Sequence, residues 1–522
     1  MNDFATLQVL AREFIDPAAL VAVLPLVPLL PLLAAAILAL RLAAGTEHGD
    51  AQEPLTARIA LLAAIGALAL LMLLDLAALF GTLPTSVVVG EWLSIGAVPI
   101  RISFIIDAYS LSSATLIALI GGLALRFSAT YLHRERGFQR FFLGMSLFLA
   151  GMLLIVLAGN AVLTFVGWEL AGISSWLLIA YAWERPVAVG NAQLVFLTNR
   201  VGDAGFLLGI GLAAWSLRTV DWLAMPGDGS AATVTLRLLL IGFVAAALVK
   251  SAQLPFTPWI ARALEGPTPS SAVFYGSLMV HAGVYLLCRM QGLLLQVPDM
   301  MALLVLVGAA TALYGGLCAL VQSDVKSALV FSTVGQVGMM VAFCGSGLFW
   351  LAAVHSGVHA AWRAYQFLLA PDYMQLVGRP ARPVPAWLAK NIWWYTAALQ
   401  RFWLESLAHA LITRPTLALG RDMRTLDAHL IDPLVGAPRN DESPLGQLAA
   451  DELIRGHGLA GRLLFAFSDQ VRRLEDHLLL SGDGTLMKRL QRLVDYADAV
   501  ESLLEQPRYL LLMVMATFAV IL

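Results

Sequence analysis

The sequence predicts an all-α polytopic membrane protein of about 11–12 transmembrane helices with a broken seventh helix. Three observations carry that expectation. Apolar runs of about 20 residues, long enough to cross a bilayer, recur through the first 370 residues. The chain is 59% hydrophobic and 13% charged, with a mean hydropathy of +0.78. Its charges are also segregated: residues 371–508 hold 33 of them in 138 residues, against 35 in the other 384.

Taken in order, the predicted spans lie near 19–41, 58–80, 103–125, 141–158, 160–182, 195–215, 235–253, 271–293, 300–321, 326–345 and 348–370. The first follows Arg12, Glu13 and Asp16 and is long, so it reads as a spanning helix and not as a cleaved signal. The seventh contains LLLIGFVAAALVKSAQLPFTPW, and Pro255 breaks it because proline lacks an N–H and clashes with the preceding turn. Four segments follow: N-terminal helices and an outer loop (1–102), the core (103–370), a charged amphipathic segment (371–508) and a short anchor (509–522). In 371–508, Trp387, Trp393, Trp394, Phe402 and Trp403 alternate with Lys390, Arg401 and Glu405. Farther on, apolar residues recur at helical spacing with charges between them. Long amphipathic helices on a membrane face, or against partner subunits, are expected there. Arg126, Arg134, Arg136 and Arg140 crowd the loop after the third span. The positive-inside rule then puts this loop and 371–508 on the cytoplasmic face of a bacterial inner membrane, with the N-terminus outside.

A net charge of −2 offers no general case for nucleic-acid binding. Cys288, Cys318 and Cys344 lie in apolar segments without metal-ligand spacing and read as small buried residues. There is no CxxC pair, HExxH helix, GxxxxGK[ST] phosphate loop or GxSxG elbow. No catalytic site, cofactor or metal is therefore expected in this chain.

The informative residues are charges within the apolar runs, which are costly in a bilayer and mark ion pathways. Glu169 lies in the fifth span, Lys250 in the seventh and His281 in the eighth. His355, His359 and Arg363 lie in the eleventh at i, i+4 and i+8, one polar stripe on a helix. A movable Glu169–Lys250 contact makes a charge switch, and histidines pass protons near neutral pH. Asp75 reads as a lining or partner-contact residue, and Asp203 as the neighbour of Arg200 on the sixth helix. Asp324 and Lys326 stand at a loop-to-helix boundary, where Asp324 reads as an N-cap. Asp107 reads likewise.

VGWELAGISSWLLIAY, ALVKSAQLPFTPWIARALEGPTPSSAVFYGSLMVHAGVYLL and SDVKSALVFSTVGQVGMM resemble the proton-translocating antiporter-like family. It comprises complex I subunits L, M and N, the large subunit of Mrp-type cation/proton antiporters, and the B subunit of the DAB inorganic-carbon accumulation complex. The resemblance covers roughly residues 90–370, and NRVGDAGF points to the L-type branch. It implies that Glu169 and Lys250 are the switch pair and that His355 and His359 continue the relay. It also implies a multisubunit membrane complex. Three departures stand out. Arg363 replaces the family's lysine, and arginine does not deprotonate at usable pH. Tyr275 stands where L subunits have a histidine, with His281 one and a half turns on. After residue 370 the chain passes into the charged segment with no second broken helix, although that segment resembles the L subunit's lateral helix and terminal anchor. This shortened form most resembles the DAB-type B subunit, which implies a zinc-containing, carbonic-anhydrase-like partner. An L-like respiratory subunit, an Mrp-type subunit and a non-conducting docking anchor are the alternatives.

Overall fold

The computed structural model describes residues 22–45, 49–79, 83–96, 98–226, 233–370, 384–410 and 414–426. The chain divides into two compact units, Met1–Ala408 and His409–Leu522. Among the described residues, eight helices are long and apolar enough to cross a membrane. They are α1 (Leu26–Ala43), α2 (Glu53–Leu79), α3 (Ala108–Tyr131), α4 (Phe138–Leu157), α5 (Ala161–Ile179), α6 (Pro186–Leu212), α11 (Pro298–Leu320) and α12 (Val325–Gly345). The multi-pass α-helical class follows from them. Two more helices are α7 (Thr233–Lys250) and α13 (Phe349–Leu369), in the places of the seventh and eleventh expected spans.

Helix starts follow local chemistry. Asp107 caps α3 through the Ser110 N–H at 2.7 Å, and the Ser110 hydroxyl accepts the Asp107 N–H in return. Asn160 caps α5 through the Leu163 N–H at 2.8 Å, and Pro186 opens α6, where its missing N–H costs nothing.

The structure corrects the expected outline in two places. An antiparallel hairpin, β1 (Ser86–Ile95) and β2 (Val98–Ile105), forms where an outer loop and the start of the third span are expected. Its SVVV and PIRISFI stretches are rich in β-branched residues, which suit a pleated strand. The third span therefore begins at Ala108 and not at 103. The span expected at 271–293 is not one helix either. A short α9 (Thr268–Ser271) runs into a π-helical stretch, Ala272–Ser277, and regular helix resumes only at α10 (His281–Arg289). Such wide turns fit a segment that must turn polar groups away from lipid.

α4 lies at the centre, with 89% of its apolar window buried. Glycine lets neighbours approach closely. A Cβ at Gly308 would stand 2.4 Å from the Ala342 nitrogen, so α11 and α12 meet backbone to backbone. A Cβ at Gly283 would stand 2.2 Å from the Ala247 carbonyl oxygen, which presses α10 onto α7.

Beyond α13, the described part of the charged segment forms short helices: α14 (Ala386–Ala389), α15 (Ile392–Leu399) and α16 (Leu404–Ala408). Leu388 and Ala398 bury against Val321 at the end of α11. Glu405 forms an ion pair with Arg262. These are short packed turns. In the second unit, α17 (Arg414–Leu426) mixes Arg414, Arg421 and Arg424 with exposed Leu417, Leu419 and Met423. The amphipathic helices expected after 426 and the anchor at 509–522 lie outside the described residues.

Candidate functional site

Lys250 is the last residue of α7. Beyond it the chain is irregular until α8 (Pro258–Arg262), and the break satisfies its own polar groups. The Gln253 N–H donates to the Leu248 carbonyl at 2.8 Å, and the Trp259 indole donates to the Val249 carbonyl at 2.9 Å. Lys250 is 1% exposed. Its Nζ donates to the Trp168 carbonyl at 3.3 Å and lies 5.1 Å from the Trp168 ring centroid.

The neighbouring acid is held by a different cation. Arg200 on α6 forms an ion pair with Glu169, and its Nη2 stands 2.7 Å from Asp203 Oδ2. The Trp168 indole donates to Asp203 Oδ1 at 2.9 Å. The expected Glu169–Lys250 contact is not made: no carboxylate among the described residues is in ion-pair range of Lys250. The reason is reach. Arg200 and Asp203 share a face of α6 at i, i+3, and the rigid planar fork of a guanidinium reaches both carboxylates at once. Gly172 makes room for this. A Cβ there would stand 3.1 Å from Arg200 Nη2 and 3.6 Å from Lys250 Nζ. Two acids and two cations thus surround Trp168 and Gly172.

A second polar group lies where α10 meets α13. His281 opens α10, and its Nε2 is 3.1 Å from His359 Nδ1 on α13. The other His359 nitrogen faces Arg363 Nε at 3.5 Å, at the outer limit of a hydrogen bond. Arg363 Nη1 donates to Gln366 Oε1 at 2.9 Å. His355 turns to Gln336 Oε1 at 2.9 Å. His281, His359 and Arg363 are all buried. Arg363 has no ion-pair partner among the described residues, so this line holds a cation without a carboxylate.

With this geometry in view, comparison with known proteins is decisive. Residues 158–376 match the family described as NADH:quinone oxidoreductase/Mrp antiporter, transmembrane. Residues 92–142 match the complex I chain 5 N-terminus. Over these residues the chain is similar to complex I L-type subunits and Mrp antiporter subunits.

Among its curated relatives is the NAD(P)H-quinone oxidoreductase subunit 5, organellar chromatophore 1, of Paulinella chromatophora. It is 35% identical over 323 residues, 60% of this chain and 48% of the relative. Another is the NADH-quinone oxidoreductase subunit L of Escherichia coli K12, 37% identical over 284 residues, 53% and 46% respectively. The chain thus spans about half the length of these relatives. The Mrp complex from Dietzia sp. DQ12-45-1b contains a similar fold: TM-score 0.57 at 30% identity, covering 66% of this chain and 37% of that one.

The remaining expected residues lie elsewhere. Asp75 on α2 accepts the Thr115 hydroxyl at 2.6 Å. Asp324 caps α12 through the Ser327 N–H at 2.8 Å. Lys326 Nζ reaches the Thr268 hydroxyl at 2.7 Å, where the Tyr131 hydroxyl also binds at 2.9 Å. Asp107 doubles as the ion-pair partner of Arg289. The Tyr275 hydroxyl is buried without a hydrogen-bond partner among the described residues. Sequence reasoning made Asp203 a secondary candidate and Arg200 its pairing partner, and it passed over Trp168, Gly172 and Gln336. A usable signal was present for the first two. NRVGD puts an ion pair on one helical face inside an apolar run, where unpaired charge is not tolerated.

Proposed function

We propose that this chain is a proton-translocating membrane subunit of a multisubunit complex. The observation that carries the reading is Lys250, an amine buried at a helix break with a carbonyl and an indole for partners among the described residues. Taking a charge out of water costs several kcal/mol unless it is paired. Such a group serves ion movement better than architecture. Its charge responds to the Arg200–Glu169–Asp203 set across Gly172. When Arg200 leans on one carboxylate, the other is freer to offer counter-charge to the lysine. A proton gained or lost at Lys250 then passes along the break toward His281 and His359. Those imidazoles exchange protons through either ring nitrogen. Arg363 keeps a fixed positive charge at the end of that line.

For the coupled process we propose inorganic-carbon uptake, with a zinc-containing, carbonic-anhydrase-like partner subunit. What supports it is the DAB-type pattern of an L-like core followed at residue 371 by a charged, tryptophan-rich segment. We place that segment on the cytoplasmic face of a bacterial inner membrane. The test is growth of a carbonic-anhydrase-deficient bacterial host at low CO2, carrying this chain with its adjacent gene product. Wild type should rescue, and Lys250→Ala and Glu169→Gln should not, at equal membrane expression. Rescue by both variants sinks the relay. Absence of rescue by wild type sinks the carbon reading.

The second reading is a respiratory L-like or cation-antiporting subunit, favoured by the names of the relatives above. Restored NADH-linked proton pumping in a host lacking its own L subunit supports it.

A further inference from the structure

Cys288 and Cys344 lie outside the relay, and the proposed function makes no use of them. Fifty-six positions separate them in sequence, yet their sulfurs are 3.8 Å apart. Cys288 belongs to the last turn of α10 and Cys344 to the last turn of α12. The Cys288 thiol also points at the Phe349 carbonyl, 3.7 Å away, where α13 begins. Three helix ends therefore meet at one sulfur. The two thiols differ in access: Cys344 is buried and Cys288 is partly exposed. Cys318 is the control, being buried in α11 with no described sulfur in contact.

We propose that Cys288 and Cys344 form a redox modification site, a thiol pair that a small organic disulfide converts into an intramolecular disulfide. The bond needs sulfurs about 2.05 Å apart, so the pair must close by roughly 1.8 Å. Rotation about the cysteine side chains supplies most of such a movement. The exposed thiol reacts first. Cys288 gives up its proton, and its thiolate attacks one sulfur of R–S–S–R, forming a mixed disulfide and releasing RS⁻. Cys344 then gives up its proton, attacks the Cys288 sulfur and expels the second RS⁻. Two protein thiols are oxidised, one reagent disulfide is reduced to two thiols, and the two protons go to the two leaving groups. The new bond ties α10, which carries His281, to α12, which carries Gln336.

The experiment uses the full chain in membrane vesicles, exposed to 4,4′-dithiodipyridine, alkylated with iodoacetamide and read by peptide mass. The expected product is one cross-linked pair of peptides joined through Cys288 and Cys344, two hydrogens lighter than the free pair. A phosphine reductant should return both to alkylatable thiols, and Cys318 should yield no cross-link. In Cys344→Ser, the reaction should stop with one thiopyridyl group on Cys288. Two results overturn the proposal: both cysteines recovered as alkylated thiols from treated wild type, or wild type stopping at the mixed disulfide on Cys288. Neither readout depends on transport, so failure here is distinct from failure of the proposed function.

Discussion

The two buried polar groups of the core are built on opposite principles. Around Trp168, Glu169 and Asp203 face Arg200 and Lys250, two acids against two cations. Along α13, His359 meets His281 and Arg363, and Arg363 meets Gln366, with no ion pair to Arg363 among the described residues. The first group balances its charge internally, so a small displacement of Arg200 redistributes counter-charge without changing the total. The second cannot hold further positive charge cheaply beside a permanent guanidinium, so it suits brief passage over storage. The difference teaches how one helical bundle holds both a switch and a conduit. The switch needs opposite charges in excess of one pair, and the conduit needs neutral groups that exchange protons.

The strongest way to break this comparison is to remove the shared cation. Arg200→Ala leaves Glu169 and Asp203 without their guanidinium, and breaking such a partly buried pair costs about 3 kcal/mol. The expected outcome is a fall in thermal stability of the detergent-solubilised protein, with loss of transport. Unchanged stability would mean that Lys250 alone balances both acids. Next comes Lys250→Ala, expected to abolish proton movement into reconstituted vesicles while the protein still elutes as a folded species. Transport at the wild-type rate would refute the switch. A smaller effect is expected from His359→Gln, on the order of a hundredfold in transport rate, the lower end of what one positioned proton-transfer group supplies. If it matched Lys250→Ala, the two groups would be one functional unit. Gly172→Ala sharpens the comparison from the side of space. Its Cβ would enter the gap between Arg200 and Lys250, shift the cation balance and cost about 1 kcal/mol of packing strain. A transport defect out of proportion to the stability change is expected. The smallest effect should come from Asp75→Asn, which keeps a hydrogen-bond acceptor for Thr115 and should leave transport within about twofold of wild type.

Much of the fold was legible in the sequence because hydropathy and helix breakers are local. The apolar run before Pro255 implies a helix that stops short of the proline, and α7 ends at Lys250. The capping part of Asp324 followed from its place before an apolar run. Two features were hidden for physical reasons. The hairpin at 86–105 reads as a loop to a hydropathy window, since its strands are shorter than a span and β1 is mostly exposed. The π-helical opening at Ala272–Ser277 sits in a run whose composition suits one continuous helix, and composition does not encode hydrogen-bond register.

What the sequence determined by itself is the membrane class, the approximate limits of most spans and the set of costly polar residues within them. Each depends on a residue and its near neighbours. What only the tertiary structure decided is which of those residues meet. Arg200, not Lys250, pairs with Glu169. His281 finds His359 across 78 positions, and Cys288 finds Cys344 across 56. Those pairings depend on the rotation of each helix about its axis, the glycines that let backbones approach and the reach of each side chain. These are long-range quantities that a one-dimensional pattern of apolar and polar residues does not contain.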